Sequence, residues 1–217
     1  MRNRFDSQLE LLNKELIEMG ALCEELIHLS QRSLEGDKDF LEAARIKELE
    51  VDRMESDIEA LCMKLLLKQQ PVARDLRSVS SALKMISDME RIGDQSLDII
   101  EIVDYVKKCD SESKKCIEDM ANVAGKMVSD SVEAFVRKDQ ELAKEVIGSD
   151  DRLDDLFVQM KKRLIWIISN EKRDGEMYID LIMIAKYYER IGDHATNIAE
   201  WVLYSLTGKK ASGNKDS

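Results

Sequence analysis

The chain has one proline and nine glycines in 217 residues. Proline breaks a helix and glycine weakens one, so few helices can be interrupted here and long ones are expected. No apolar run approaches the roughly 18 residues that a membrane span needs. The first residues run straight into a charged amphipathic stretch with no leader pattern. A cytoplasmic chain without a membrane span is therefore expected. A basic surplus is also missing: the net charge is −11, with acids and bases interleaved. Nucleic acid needs a cationic footprint that displaces counterions, so it is an unsuitable partner, and an anionic membrane is no better. The four cysteines, Cys23, Cys62, Cys109 and Cys116, form no CxxC pair. That argues against a disulfide framework or a zinc site and for buried thiols in a reducing compartment. No nucleophile–base pair, glycine-rich phosphate loop or dinucleotide fingerprint is present.

The chain does have helical periodicity. At 44% hydrophobic and 35% charged, it has enough apolar residues for a packed core, and these recur at alternating steps of three and four. Leu9, Leu12, Leu16, Met19, Cys23 and Leu26 predict a first helix stopping near Gly36. Asp37 or Asp39 would cap a second, with the seam Val51, Met54, Ile58, Leu61 and Leu65, interrupted at Pro71. Leu76, Val79, Leu83, Ile86, Leu97 and Ile100 mark a third, ending near Lys108. Residues 109–115 read as a linker, with Asp110 or Ser111 as cap. Three further helices carry Cys116 to Ala134, Val146 to Ile167 and Tyr178 to Leu203, with Gly208 as the stop. Short connections make consecutive helices antiparallel. The expected fold is all-α: six long helices as two tandem up-down-up bundles, at 1–108 and 109–208, with a polar tail at 209–217.

The tandem arrangement is visible as a repeat. Glu90-Arg91-Ile92-Gly93-Asp94 returns as Glu189-Arg190-Ile191-Gly192-Asp193, 189 − 90 = 99 residues later. At the same offset Arg74-Asp75 matches Arg173-Asp174, Ile99 matches Ile198 and Tyr105 matches Tyr204. Counting along the third helix puts Glu90 and Gly93 on the apolar seam, and the sixth helix puts Glu189 and Gly192 there. A core-facing carboxylate costs several kcal/mol unless it is paired or ligated, and a mid-helix glycine costs about 1 kcal/mol. Both costs recur at the same place in each copy.

Residues four apart share a helical face, so Glu90 points with Asp94 and Glu189 with Asp193. On the second helix Glu48 and Asp52 begin an acidic stripe, with Glu55 and Glu59, beside the seam. The fifth helix offers Asp150 and Asp154. Two such pairs on antiparallel neighbours would give four carboxylates per bundle, a site for hard cations such as Mg²⁺, Mn²⁺, Ca²⁺ or iron. The alternative is a solvated acidic face whose charges Arg91 and Arg190 satisfy as surface ion pairs. Register is open as well. The offset is 99 at the motif, but 102 if Glu48 and Asp52 match Asp150 and Asp154. His28 and His194 read as packing or surface residues. Glu25 and His28 form a single Glu-x-x-His, where a ferritin-like di-iron centre needs two.

Two three-helix units, each with Glu-Arg-Ile-Gly-Asp on its last helix, resemble the PhoU family of phosphate-signalling regulators. The likeness spans about residues 5–207 and includes Gln69-Gln70-Pro71-Val72-Ala73-Arg74-Asp75-Leu76-Arg77 between the second and third helices. The resemblance implies a cytoplasmic homodimer that lowers phosphate uptake and represses the phosphate-starvation response. Its partners would be the ATPase subunit of a phosphate ABC transporter and a membrane sensor histidine kinase, which could recruit it to the inner face of the membrane. It also implies metal ions (Fe, Mn or Mg, in some members as multinuclear clusters) on Glu48, Asp52, Glu90 and Asp94 and on Asp150, Asp154, Glu189 and Asp193. No enzymatic activity is implied. Two other readings compete: a carboxylate-bridged metalloenzyme of oxidase type, and a metal-free helical scaffold. If the carboxylates hold metal, Glu90→Gln with Glu189→Gln abolishes binding by metal analysis and leaves the circular dichroism helical. Retained stoichiometric metal would place the site elsewhere.

Overall fold

The computed structural model of the chain describes residues 2–34, 40–69, 73–103, 109–170 and 175–209. They form six helices: α1 (Arg2–Leu34), α2 (Phe40–Gln69), α3 (Ala73–Ile102), α4 (Ser111–Arg137), α5 (Gln140–Asn170) and α6 (Gly175–Thr207). The described residues contain no strand. The expected stops and caps at Gly36, Asp37, Asp39, Pro71 and Lys108 lie outside the described residues. Residues 111–115, expected in the linker, belong to α4. Its cap is Asp110, whose side chain accepts from the backbone N–H groups of Glu112 and Ser113 at 3.2 and 3.0 Å. Arg163 of α5 also pairs with Asp110, tying the start of α4 to the end of α5. Burial opposes the Asp110 charge, but the Ser113 hydrogen bonds and the Arg163 guanidinium outweigh it and bring the carboxyl down to about 2. Gly208 ends α6 as expected, at φ 72° with its N–H on the Tyr204 carbonyl.

Each set of three helices packs on itself, α1 and α2 with α3, and α4 and α5 with α6. The seams carry the core. Leu12, Leu16, Met19, Cys23 and Leu26 of α1 are buried, as are Val51, Ile58, Cys62 and Leu65 of α2. Leu76 departs from this pattern and is 47% exposed; it sits in the first turn of α3, at the end of the bundle. Burial pushes the Cys23 and Cys62 thiols up to about 12, which leaves them protonated and inert. Cys109 and Cys116 are partly buried and also free.

The two bundles are joined by α1 packing on α4 and α3 packing on α6. At the first crossing Gly20 meets Val132 and Gly125 meets Ile27. These contacts are related by one offset, since 125 − 20 = 105 and 132 − 27 = 105. At the second crossing Asn197 donates to Asp88 at 3.1 Å, and Tyr187 is hydrogen-bonded to Asp98. Here the offset is 99: 187 − 88 = 99 and 197 − 98 = 99. Gln95 meets its own counterpart His194 (194 − 95 = 99) at 3.3 Å. Each contact therefore maps onto its partner by exchanging the copies, so the bundles are related by a pseudo-twofold axis that passes between Gln95 and His194. His194 completes the network through Nδ1 to Asp88 at 2.9 Å. With Nδ1–H donating, Nε2 accepts from the Gln95 amide.

The offset falls from 105 to 99 in two steps, and the connections account for the first. Residues 35–39 separate α1 from α2, whereas only Lys138 and Asp139 separate α4 from α5. Lys138 adopts the left-handed conformation, and Asp139 caps α5 through the N–H groups of Glu141 and Leu142.

The missing Cβ matters differently at the two motif glycines. A Cβ at Gly93 would lie 3.4 Å from Val51 Cγ1, an ordinary contact. One at Gly192 would overlap Leu153 Cδ2, well inside van der Waals contact distance. Gly93→Ala is therefore expected to be neutral or to stabilise by up to about 1 kcal/mol through helix propensity. Gly192→Ala is expected to destabilise by about 1–3 kcal/mol through overpacking. Urea unfolding of the two variants checks the difference in sign.

Candidate metal centre

The helix spacing of Glu48 and Asp52, four apart on α2, puts both carboxylates on the side that faces α3. Val51 of α2 seats on Gly93 of α3, and Asp94, the next residue of α3, lies across from both carboxylates. One carboxylate oxygen each from Glu48, Asp52 and Asp94 lies within 4.8 Å of the other two. Glu90, one turn before Asp94, is on the same face. Its side chain is only 18% exposed, it pairs with Arg91 Nε at 3.2 Å, and it is within hydrogen-bonding reach of Asp94. Arg91 also bonds Asp94 at 3.2 Å but is itself 56% exposed. Glu55 flanks the group and accepts from Ser87 Oγ at 3.2 Å.

The cluster is electrostatically loaded. Burial first, then Asp94, pushes the Glu90 carboxyl up to about 7, against the pull of Arg91. Burial also raises Glu48, with Asp52 and Asp94 adding to the effect. Asp94 is raised by burial and by Asp52, partly countered by Arg91. Carboxylates this close cannot all ionise cheaply without a counter-charge, and a hard cation supplies one. The donor set, three carboxylates with a fourth adjacent, fits such an ion.

The second bundle places its residues differently. Val51 packs on Gly93 and Leu153 packs on Gly192, and 153 − 51 = 102. This fixes the register left open by the sequence: Asp150 and Asp154 stand where Glu48 and Asp52 do. Yet among the described residues the three-carboxylate group of the first bundle has no counterpart there. Asp150 accepts from Thr196 Oγ1 at 3.4 Å. Asp154 is exposed and Asp193 half-buried. Glu189, 12% exposed, is paired with Lys186.

Neither histidine belongs to the carboxylate group. His28 is exposed on α1, Glu25 pairs with Lys47, and His194 serves the pseudo-twofold axis. Sequence reading missed Ser87, Thr196 and Lys186. For Lys186 a signal existed, since it lies three residues before Glu189 and so on the same face.

The fold and this geometry define an all-helical tandem-repeat protein whose bundles each present acidic pairs on adjacent helices. The chain belongs to the PhoU family: the PhoU domain matches it twice, at residues 16–103 and 117–202. It is 34% identical over 219 residues to a protein of Clostridium acetobutylicum named as a phosphate-specific transport system accessory protein PhoU homolog, covering 98% of this chain and 99% of that one. A PhoU homolog 1 of Thermotoga maritima is 31% identical over 94% of this chain and 90% of its own length. Among solved structures, PhoU from Pseudomonas aeruginosa superposes with a TM-score of 0.90 at 28% identity, covering 94% of this chain and all of that one. The phosphate transport system regulatory protein PhoU from Streptococcus pneumoniae gives 0.86 at 25% identity, covering 95% and 98%.

The raised Glu90 carboxyl has a consequence for stability. Unfolded, it titrates near 4.5; folded, at about 7. Its contribution to stability is full below about pH 4.5 and is lost as the pH rises through about 7. In chelator-treated protein, Glu90→Gln should raise the melting temperature clearly at pH 8 and little at pH 5. Equal shifts at both pH values would contradict the assignment.

Proposed function

We propose that this protein is a negative regulator of phosphate uptake and of the phosphate-starvation response. It acts by contact with the ATPase subunit of a phosphate ABC transporter and with a membrane sensor histidine kinase, as a homodimer and without enzymatic activity of its own. One observation carries this reading: the likeness to proteins named as phosphate transport accessory proteins extends over nearly the whole of both chains. No described helix is long and apolar enough to cross a membrane, which agrees with a protein that works at the cytoplasmic face through its partners.

The carboxylate group supports a metal-binding part of the same proposal. Glu48, Asp52 and Asp94, with Glu90 beside them, would hold a hard cation such as Mn²⁺, Mg²⁺ or iron. The ion would supply positive charge between α2 and α3, where like charges otherwise oppose packing. Glu189, Asp193, Asp150 and Asp154 are the corresponding candidates in the second bundle. The metal's role here is structural: it fixes the angle between helices whose outer surfaces meet the partners.

Deletion of the gene is expected to derepress phosphate uptake and alkaline phosphatase in high phosphate, with any second copy of the gene deleted as well. Unchanged levels in both would refute the regulatory reading.

A further inference from the structure

Superposing the copies in the register fixed by the motif glycines exposes a chemical asymmetry between the two carboxylate sites. In the first bundle Glu55 and Ser87 face each other across α2 and α3, bonded at 3.2 Å. Their counterparts are Phe157 (157 − 55 = 102) and Lys186 (186 − 87 = 99). The Lys186 ammonium stands 5.4 Å from the centre of the Phe157 ring and is paired with Glu189, the motif carboxylate. One replacement removes a negative charge from the wall of the site and the other adds a positive one, a change of two units. Thr196, at the position of Leu97, then satisfies Asp150.

These three differences act in one direction. Among the described residues the first-site motif glutamate pairs with its chain neighbour Arg91, whose side chain is 56% exposed against 43% for Lys186. In the second the glutamate has a cation on its own helical face, three residues back, held over an aromatic ring. A cation over a ring face is held there by the ring's quadrupole, which places the lysine beside the carboxylate it pairs with.

We propose that Lys186 is a tethered cation that occupies the second carboxylate site, so that a hard divalent ion binds the first bundle in preference to the second. The two halves of the repeat have thus diverged into a site that needs an external cation and one that carries its own. Lys186 is the residue that sets the difference. The inference rests on the metal-binding part of the function proposed above.

Calorimetric titration of chelator-treated full-length protein with Mn²⁺ tests it, with metal analysis as a second readout. In the wild type, Asp94→Asn should abolish the tight binding event and Asp193→Asn should leave it intact. Lys186→Gln should bring in a second event, sensitive to Asp193→Asn, with affinity at least about tenfold above the wild-type second site. Removing one unit charge a few ångströms from a divalent ion gives that order of effect. Lys186→Arg, which keeps the charge, should behave as wild type. Circular dichroism checks that each variant is folded. A wild type equally sensitive to both motif variants would overturn the proposal. So would Lys186→Gln without gain, or Lys186→Arg gaining as much as Lys186→Gln. Failure of the first site shows separately, as loss of the event that Asp94→Asn removes, and leaves the Lys186 comparison to be read on its own.

Discussion

Two side-chain contacts hold the acidic sites in place: Val51 on Gly93 and Leu153 on Gly192. An α-helix presents residues three and four apart on one face, so the residue between the motif's glutamate and aspartate decides how near a neighbouring helix can come. Glycine there offers no Cβ, and a branched side chain from α2 or α5 fills the space. In the first bundle Glu48 and Asp52 of α2 meet Asp94 of α3 beside this contact. At Gly192 the helix-propensity cost of the glycine is offset by the seating of Leu153, which a Cβ would displace.

The same reliance on small residues and exchanged contacts joins the bundles. Gly20 and Gly125 allow α1 and α4 to cross closely, and a polar network spans α3 and α6. Asp88 is shared by His194 and Asn197, and Gln95 bonds His194 on the pseudo-twofold axis. Gln95 follows Asp94 directly, and His194 follows Asp193. The residues at the axis are thus chain neighbours of the aspartates at both sites.

The arrangement is strained by charge rather than by shape. Glu48, Glu90 and Asp94 are all held above their usual ionisation range by burial first and then by neighbouring acids, Asp52 among them in each case, while the rest of the chain packs with ordinary apolar seams. A cation at this point would relieve repulsion between two helices of one bundle. In the second bundle Lys186 lies where part of that relief can come from within the chain.

The six helices, their antiparallel order and the duplication were legible in the sequence, because apolar periodicity and an exact pentapeptide repeat are local properties. The motif acids also stand out in the sequence, as a Glu and an Asp four residues apart that recur at an offset of 99. The linker was drawn to Lys115 although Asp110 was one of the two expected caps; α4 starts at Ser111, directly after it. Leu76 was assigned to the core because periodicity says which face a residue is on but not where the bundle ends. The register of α2 against α3 and of α5 against α6 was decided only by tertiary structure. The shorter α4–α5 connection takes the offset from 105 to 102, and only the seating of Val51 and Leu153 on the glycines shows which acids correspond. The difference between the sites has the same origin: Phe157 and Thr196 carry no sequence signal and Lys186 only its spacing from Glu189, and packing places them beside Glu189 and Asp150.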